Sequence, residues 1–401
     1  MKEKPVIALF KLEVNKITLK IFLKNTKEII FQEFEYIKNT FKASDINSNS
    51  QVIKNLLTNA NRSLSLMIND VYVIYPDSNV SISNLKIKKT QFTISSTTGE
   101  RSEIEDLIET RIRDKHIFND LFFLKFKTFS IYNSSNNIYK VKGNSYYENI
   151  DFIKLIKNLF NLTNIRIIDI VPTSFMVPDM VSSTDFIEIS INLSRVKINH
   201  YKNNILNKQI VLKNELKSLI ENLSHSYQVN KYHIYQNIIS QINLEEKNNK
   251  TVLIKAKLNE FQLEEQPELL NEDLNAMVKE YLEITFENIT SILSKNNLLE
   301  KNKIITGNIF QIDSTNSFIK HHLTFDKFMI LDQYKEKKIS IFFENVYAKY
   351  IINNNRVKIN DNIILSIKER AISLTNNHKM IVPLKMFMKN FNKKFFDLSK
   401  Y

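Results

Sequence analysis

The sequence predicts an α/β protein built from two lobes. Three strand patterns, an amphipathic helix and a further strand follow one another over residues 6–75, and a second series begins with the hairpin Asp185–Asn199. In that hairpin Ile187, Ile189 and Ile191 recur at every second position, as they do on a strand. Each series carries enough apolar positions to need its own core, and 401 residues exceed what one core organises. We therefore expect two to four subdomains, grouped in two lobes.

Composition limits the classes of protein that fit. Hydrophobic residues make up 43% of the chain, which excludes intrinsic disorder, and the absence of cysteine excludes disulfides and thiolate zinc sites. The formal net charge of +13 favours an anionic partner, although codon bias towards lysine also explains it. We find no signal-peptide pattern and no apolar run of about 18 residues. The expected location is cytoplasmic, with at most peripheral contact to the inner face of the membrane.

The first half contains a lobe with a smaller unit inserted into it. Periodicity and turn residues predict, in order, the β-meander Val6–Tyr36, the helix Ser50–Ile68, the strand Asp70–Tyr75, strand pieces over 80–95, the helix Ser102–Lys115, the strands Leu121–Tyr132 and Asn137–Val141, the helix Ile150–Phe160 and the strand Ile165–Val171. Ser50 is the expected N-cap of its helix. This assigns residues 1–98 and 149–182 to the first lobe and 99–148 to the inserted unit.

The second half contains the other lobe and a tail. After the hairpin, the predicted elements are the strand Lys208–Leu212, the helices Asn214–Ser224 and Asn230–Ser240, the strand Thr251–Lys257, the long helix Pro267–Ser294, the strand Lys303–Thr306 and the helices Ser317–His322 and Ser340–Ile352. The second lobe therefore spans 183–352. Residues 353–382 are polar and rich in Asn, which is typical of a linker.

The order of these elements, together with the strings Ile304–Ile312 (IITGNIFQI) and Val346–Tyr350, resembles FtsA, the bacterial actin-like cell-division protein. The resemblance implies a two-lobed actin-like fold with an FtsA-type inserted subdomain and a C-terminal amphipathic helix. It makes Ile304–Ile312 the adenosine-binding strand and turn. The first phosphate loop falls on Leu9–Ile17 and the second on Ile187–Val196.

The phosphate loops depart from what an actin-like ATPase needs. Phe10 stands where the family has the acidic residue that holds the metal through water, and Leu12 replaces a glycine. In the second loop Glu188 keeps the acidic position, but Ser190, Ile191 and Asn192 replace glycines, and a branched side chain at 191 blocks close approach of the backbone to phosphate. We expect a pseudo-ATPase without a required cofactor, and ATP with Mg²⁺ remains the alternative if the pocket is retained. The vestigial nucleotide contacts are Glu188, Ser190, Asn192, Gly307 and Asn308.

The segment Pro383–Tyr401 has the pattern of a membrane-surface helix. Its apolar residues recur at spacings of three and four, and lysines flank them; they are Leu384, Phe387, Met388, Phe391, Phe395 and Leu398, with Lys385, Lys389, Lys393 and Lys394. Such a helix inserts its phenylalanines between lipid headgroups and places its lysines on anionic lipid. A helix docked on the protein's own core has the same pattern, and that alternative stays open.

Other kinds of site have weaker support. The histidines are scattered without metal-binding spacing, and neither a P-loop nor a nucleophile elbow occurs. Lysines and tyrosines interleave in Asn137–Tyr147 and Val196–Ile205, which is a pattern seen in single-strand nucleic-acid binding. Because these lysines alternate with apolar residues, exposed strand faces explain them as well. Nucleic acid is therefore not the expected partner.

The resemblance to FtsA completes the functional hypothesis. It implies a cell-division scaffold that ties FtsZ, or an equivalent tubulin-like filament, to the inner face of the membrane and associates with itself into filaments. It places the partner-binding subdomain within about 214–299. Two alternatives remain: another actin-like membrane or cytoskeleton adaptor, such as a pilus-assembly protein, and a basic nucleic-acid-binding protein. A retained ATPase is the enzymatic alternative.

Overall fold

The computed structural model describes residues 6–332, apart from 25, 27, 38, 78–82, 116–119, 136, 247–248, 256–267, 324 and 326, together with Val346 and Ile351. The side chains of 114, 115 and 135 are not described. The described residues form two compact units: those up to Ser182, together with Val346 and Ile351, belong to the first, and those from Ser183 to Asp332 belong to the second. Both units mix helices with sheets, so the prediction of an α/β protein is confirmed.

The first unit is built on a five-stranded sheet. Its elements are β1 (Val6–Glu13), β2 (Lys16–Leu23), β3 (Ile29–Tyr36), α1 (Ile46–Leu64), β4 (Asp70–Tyr75), β5 (Lys86–Ser95), α2 (Arg101–Lys115), β6 (Leu121–Ser135), β7 (Ile138–Asn149), α3 (Ile150–Asn158) and β8 (Arg166–Pro172). The sheet order is β3-β2-β1-β4-β8. The first three strands form an antiparallel meander, and β4 and β8 continue the sheet in parallel with β1. The predicted meander Val6–Tyr36 is therefore confirmed.

A separate three-stranded sheet in the first unit has the order β5-β7-β6 and packs against α2. It includes β5, although the sequence analysis began the inserted unit only at residue 99 and left residues 80–95 in the first lobe. β5 belongs here because all of Lys86–Ser95 pairs with β7, whose partner residues lie more than forty positions later in the chain. Strand pairing at that separation leaves no local signal in the sequence.

α2 also protects the free edge of this small sheet. The carboxylates of Glu105 and Glu109 lie one helical turn apart and accept hydrogen bonds from the backbone N–H groups of Thr128 and Phe126, both at 2.9 Å. Those two residues lie on β6, the outer strand of the sheet. An unpaired strand edge is a template for pairing with another chain, and the two carboxylates occupy it here.

The second unit repeats the sheet order of the first. Its elements are β9 (Asp185–Asn192), β10 (Arg195–Lys202), β11 (Ile205–Lys213), α4 (Glu215–Ser226), α5 (Lys231–Gln241), β12 (Val252–Lys255), β13 (Glu268–Leu270), α6 (Asn271–Lys295), β14 (Asn302–Thr306), α7 (Thr315–His322) and β15 (Phe328–Ile330). The sheet order is β11-β10-β9-β14-β15, again a meander extended by two parallel strands. β12 and β13 form a small ribbon of their own.

Two helix starts differ from the prediction. α1 begins at Ile46, so Ser50 lies inside the helix, where its hydroxyl donates to the carbonyl of Asn158 at 3.1 Å instead of capping the first turn. α6 begins at Asn271 because the preceding Glu268–Leu270 pairs with β12 as a strand. A strand of three residues and the first turn of a helix present similar apolar patterns, which is why the sequence did not separate them.

Several predictions fall outside the described residues. They are the helix Ser340–Ile352 apart from the buried Val346 and Ile351, the linker 353–382, and the helix Pro383–Tyr401 with all of its proposed membrane contacts. Among the helices that the structure describes, none is both long and apolar enough to cross a membrane.

Candidate functional site

The hairpin of β9 and β10 turns at Leu193 and Ser194, and its two faces differ in character. Ile187, Ile189 and Ile191 point into the hydrophobic core of the second unit. Because side chains alternate along a strand, the intervening residues and their partners on β10 lie on the opposite face. This face, which we call the polar sheet face, carries Glu188, Ser190, Asn192, Lys197, Asn199 and Tyr201, and every one of these side chains is buried.

Glu188 is the centre of a hydrogen-bond network on the polar sheet face. One carboxylate oxygen accepts from the Asn199 amide at 2.9 Å and the Tyr201 hydroxyl at 3.2 Å, and the other accepts from the Thr306 hydroxyl at 3.0 Å. Gln209 in turn donates to the Asn199 amide oxygen at 2.9 Å. A buried carboxylate is stabilised by donors of this kind. Both oxygens of Glu188 therefore accept hydrogen bonds from other residues of the protein.

The tip of the hairpin is joined to the end of β14 by two reciprocal hydrogen bonds. The backbone N–H of Asn308 donates to the Asn192 side-chain oxygen at 2.9 Å, and the backbone N–H of Leu193 donates to the Asn308 side-chain oxygen, also at 2.9 Å. The Asn192 amide donates to the Ser190 hydroxyl at 3.1 Å. Residues more than a hundred positions apart in the chain therefore cap each other's backbone.

Gly307 makes this closure possible. Its φ is +124°, a conformation that side chains disfavour, and a Cβ added there would lie 2.0 Å from the carbonyl oxygen of Ile191. The predicted site residues Glu188, Ser190, Asn192, Gly307 and Asn308 are thus brought together. What they form is a packed junction between β9 and β14.

Two details of the predicted phosphate loops need correction. Ile191 does not lie in the turn: it is still part of β9, and its side chain is in the core while its backbone faces Gly307. In the first lobe, Leu9–Ile17 is the β1–β2 hairpin, and Phe10 packs edge-to-face on Phe160 with ring centroids 5.2 Å apart. Phe10 is therefore a core residue.

The first-lobe hairpin carries charged residues that the sequence analysis did not single out. Lys11 forms an ion pair with Glu13 at 3.0 Å, and the register of β1 and β2 places Lys16, Thr18 and Lys20 on the same face. Burial opposes ionisation of the Glu13 carboxyl, but Lys11, Lys16 and Lys20 outweigh it, so the net effect is a lowered pKa. The sequence signal for these charged residues was the alternation of lysine with apolar residues. An ordinary exposed strand shows the same alternation.

The residues of the second-lobe hairpin do not fit a bound nucleotide. A phosphate held at such a turn needs backbone N–H donors, and those of Leu193 and Asn308 are used by asparagine side chains. A metal held through water needs free acceptor sites on a carboxylate, whereas protein donors at Asn199, Tyr201 and Thr306 use most of the roughly four sites of Glu188. Within the described ranges, no group of three or more acidic or histidine side chains is placed to hold a metal ion.

The two lysine–tyrosine strings do not form exposed aromatic surfaces. In Asn137–Tyr147, Tyr139 packs towards α2, and Tyr146 and Tyr147 are buried. In Val196–Ile205, Lys197 and Tyr201 are fully buried, and Tyr201 stacks on Phe186 at 4.6 Å. The interleaving therefore reflects strand alternation, while Lys140 and Lys142 remain exposed on the small sheet.

A search of solved structures finds proteins of similar fold. The chain is similar to a protein of the PilM–PilN type IV pilus biogenesis complex, with a TM-score of 0.54 over 86% of this chain and 97% of that one, at 9% identity. The chain has an actin-like fold. MreB5 of Spiroplasma citri bound to ADP also aligns, with a TM-score of 0.49 over 89% of this chain and 100% of that one, at 9% identity. No family model and no curated protein matches the sequence.

Proposed function

We propose that this protein is an actin-fold scaffold that no longer hydrolyses ATP and that links a cytoskeletal partner to the inner face of the membrane, as FtsA links FtsZ. The observation that carries the proposal is the reciprocal bonding of Asn192 and Asn308, which uses the backbone donors of the hairpin for internal structure. A protein that keeps this fold without the groups that ATP hydrolysis needs is best explained as a binding protein. The role of FtsZ or an equivalent filament, and self-association into filaments, rest on the resemblance to FtsA.

Loss of hydrolysis is tested directly with the purified full-length chain. We expect no ATP hydrolysis above the background rate, with or without Mg²⁺, and no change in the Glu188→Gln variant. Hydrolysis that requires Mg²⁺ and disappears in Glu188→Gln would contradict the proposal. ATP binding without hydrolysis would instead show that nucleotide is retained as a structural ligand.

The membrane half of the proposal depends on Pro383–Tyr401 and needs its own test. Co-sedimentation with anionic and neutral liposomes compares the full chain with one that ends at Val382. We expect the full chain to bind anionic liposomes and the shortened chain to remain in solution. Equal behaviour of the two chains would remove the membrane from the proposal.

A matched pair of substitutions separates a membrane helix from a helix docked on the core. Replacing Phe387 and Phe391 by Ser should abolish liposome binding and leave the melting temperature unchanged if the helix serves lipid. A lower melting temperature would indicate core packing, because buried phenylalanines lost from a core destabilise it by roughly 3 kcal/mol each. Replacing Lys389 and Lys393 by Gln should weaken binding to anionic liposomes alone.

A second candidate function is favoured by the similarity to PilM. That protein is described in a complex with PilN, so the same fold serves there in an assembly with a partner polypeptide. An adaptor of the pilus-assembly kind would share the lack of hydrolysis but would not need to bind a tubulin-like filament. Co-sedimentation with assembled FtsZ distinguishes the two, because only the FtsA-like scaffold should enter the pellet with the filaments.

A further inference from the structure

The small sheet of the first unit has one covered and one open face. α2 covers the first with Ile104, Ile108 and Ile112, which pack on Ile94, Phe126 and Val141 of the three strands. Residues that alternate with those lie on the opposite face. The cross-strand register sets Lys140 between Thr93 and Tyr132, and sets Lys142 between Gln91 and Ser130. We call this the outer sheet face, defined by Lys89, Gln91, Thr93, Ser130, Tyr132, Lys140 and Lys142.

The outer sheet face is exposed and positively charged. Lys89, Lys140 and Lys142 are exposed, and Tyr132 is 57% exposed. Among the described residues, no carboxylate forms an ion pair with any of the three lysines. The acidic residues of α2 that lie nearest in the chain are used elsewhere: Glu105 and Glu109 accept from β6, and Glu103 accepts from the hydroxyls that precede the helix.

We propose that the outer sheet face binds an acidic, extended polypeptide segment of a partner protein. Lys140 and Lys142 are two positions apart on one strand, so their Cα atoms lie about 7 Å apart, which is also the spacing of alternate residues on an extended peptide. Gln91, Thr93 and Ser130 lie beside these two lysines on the flanking strands and supply neutral hydrogen-bonding groups. An acidic extended segment therefore matches the outer sheet face in the spacing of its side chains and in the sign of its charge.

The same face suits nucleic acid and lipid less well. Single-stranded nucleic acid is held by several aromatic rings on which successive bases stack, whereas Tyr132 is the exposed ring that the described residues place on this face. Insertion into lipid needs a contiguous apolar stripe, and the centre of this face is made of lysine and neutral polar side chains. An acidic segment makes use of both the lysines and the polar groups.

This inference deepens the proposed scaffold role and rests on it for its biological meaning, because it names the chemistry of a partner. The two can fail separately. Absence of peptide binding in a chain that does not hydrolyse ATP would reject this surface and leave the scaffold role standing. ATP hydrolysis would reject the scaffold role whatever the peptide does.

The experiment measures fluorescence anisotropy of a fluorescein-labelled peptide of alternating Glu and Ser added to the full-length chain. The test variant combines Lys89→Gln, Lys140→Gln and Lys142→Gln. The control combines Lys54→Gln, Lys217→Gln and Lys295→Gln, three exposed lysines outside the small sheet, so both variants lose the same net charge. A third variant replaces the same three lysines of the sheet by arginine, which keeps the charge in place.

We expect the wild-type chain, the control and the arginine variant to bind the acidic peptide alike. The test variant should bind it about tenfold more weakly, since three exposed charge pairs are lost and each contributes only a modest part of the affinity. Equal weakening in test variant and control would overturn the proposal, because only net charge would then matter.

Two further probes decide the class of ligand. An oligothymidylate of the same net charge and a vesicle containing phosphatidylglycerol are titrated against the same variants. We expect neither probe to distinguish the test variant from the control. If either loses more affinity in the test variant than the acidic peptide does, the assignment to a polypeptide segment is wrong.

Discussion

The two lobes share a strand order but close their central hairpins differently. In each lobe a hairpin of two eight-residue strands with a two-residue turn is followed by a third strand, and two parallel strands extend the sheet. The first-lobe hairpin carries Lys11, Glu13, Lys16 and Lys20 on one face. The corresponding face of the second-lobe hairpin is the buried polar network around Glu188.

The strand next to each hairpin ends differently as well. β4 leads to Asp77, whose carboxylate accepts from the hydroxyl of Thr173 and the backbone N–H of Ser174, both at 3.1 Å, beyond the end of β8. β14 leads to Gly307 and Asn308, which close on the β9–β10 hairpin. The comparison shows that a strand order can be kept while the residues at its loops become structural, so the fold alone does not establish an activity.

Breaking the closure at Gly307 should have the largest effect. Gly307→Ala introduces a Cβ at 2.0 Å from the backbone oxygen of Ile191 and keeps an unfavourable φ of +124°. We expect the free energy of unfolding to fall by roughly 3 kcal/mol or more, measured by urea denaturation. Gly99→Ala is the control, since there the obstacle at 2.3 Å is the hydroxyl end of Tyr139, a side chain that can move. Equal losses in the two variants would argue against a backbone clash.

The buried carboxylate of the second lobe should give the next largest effect. Glu188→Gln keeps the shape of the side chain but places an NH2 group where one oxygen was, so it faces either the Thr306 hydroxyl or the donors of Asn199 and Tyr201. The expected loss of unfolding free energy is about 2 kcal/mol. As a control, Glu221→Gln removes a partly exposed ion pair with Lys231 and should change it by less than about 1 kcal/mol.

A double-mutant cycle tests whether the two asparagines at the hairpin tip act together. Asn192→Ala and Asn308→Ala should each lower the unfolding free energy by about 1 kcal/mol. Because the two side chains cap each other's backbone, the double variant should lose less than the sum of the single losses, with a coupling of roughly 0.5 to 1 kcal/mol. Additive losses would mean that the reciprocal bonds do not form as a unit.

The first-lobe hairpin should give the smallest effect, and it should depend on pH. The pKa of Glu13 is lowered on folding, so its charge stabilises the folded state above 4.5, and this contribution is lost as the pH falls through the folded-state pKa. The difference in unfolding free energy between wild type and Glu13→Gln should therefore shrink below pH 4.5. Carboxyl NMR titration provides the check: Lys11→Met should raise the Glu13 pKa, and no change would remove Lys11 as a cause.

Much of the fold could be predicted because local sequence patterns determine it. The β-meander and the helix α4 after Asn214 follow from apolar alternation, helical spacing and turn residues. Elements defined by distant pairing could not be read in the same way. β5 was predicted only as strand pieces of the first lobe and not as part of the small sheet, and the three-residue strands β13 and β15 were missed because so few residues show no period.

The candidate site, too, could be predicted only as far as local sequence and the resemblance allowed. Glu188, Asn192, Gly307 and Asn308 were singled out through the resemblance, and they do lie together. Their role as a junction could not be predicted, since it depends on which side chain faces which backbone group across the sheet. Ile191 shows the limit of the sequence. The prediction placed it in the turn, but β9 continues to Asn192, so the Ile191 side chain faces the core and not a ligand.

The helix α2 also has a consequence for how the chain is made. Synthesis proceeds from the N-terminus, so α2 leaves the ribosome before β6, and β6 before its partner β7. The carboxylates of Glu105 and Glu109, which accept from the amide groups of Thr128 and Phe126 in the folded chain, are therefore already made when β6 appears. We therefore expect one edge of β6 to be covered early in synthesis, while its other edge waits for β7.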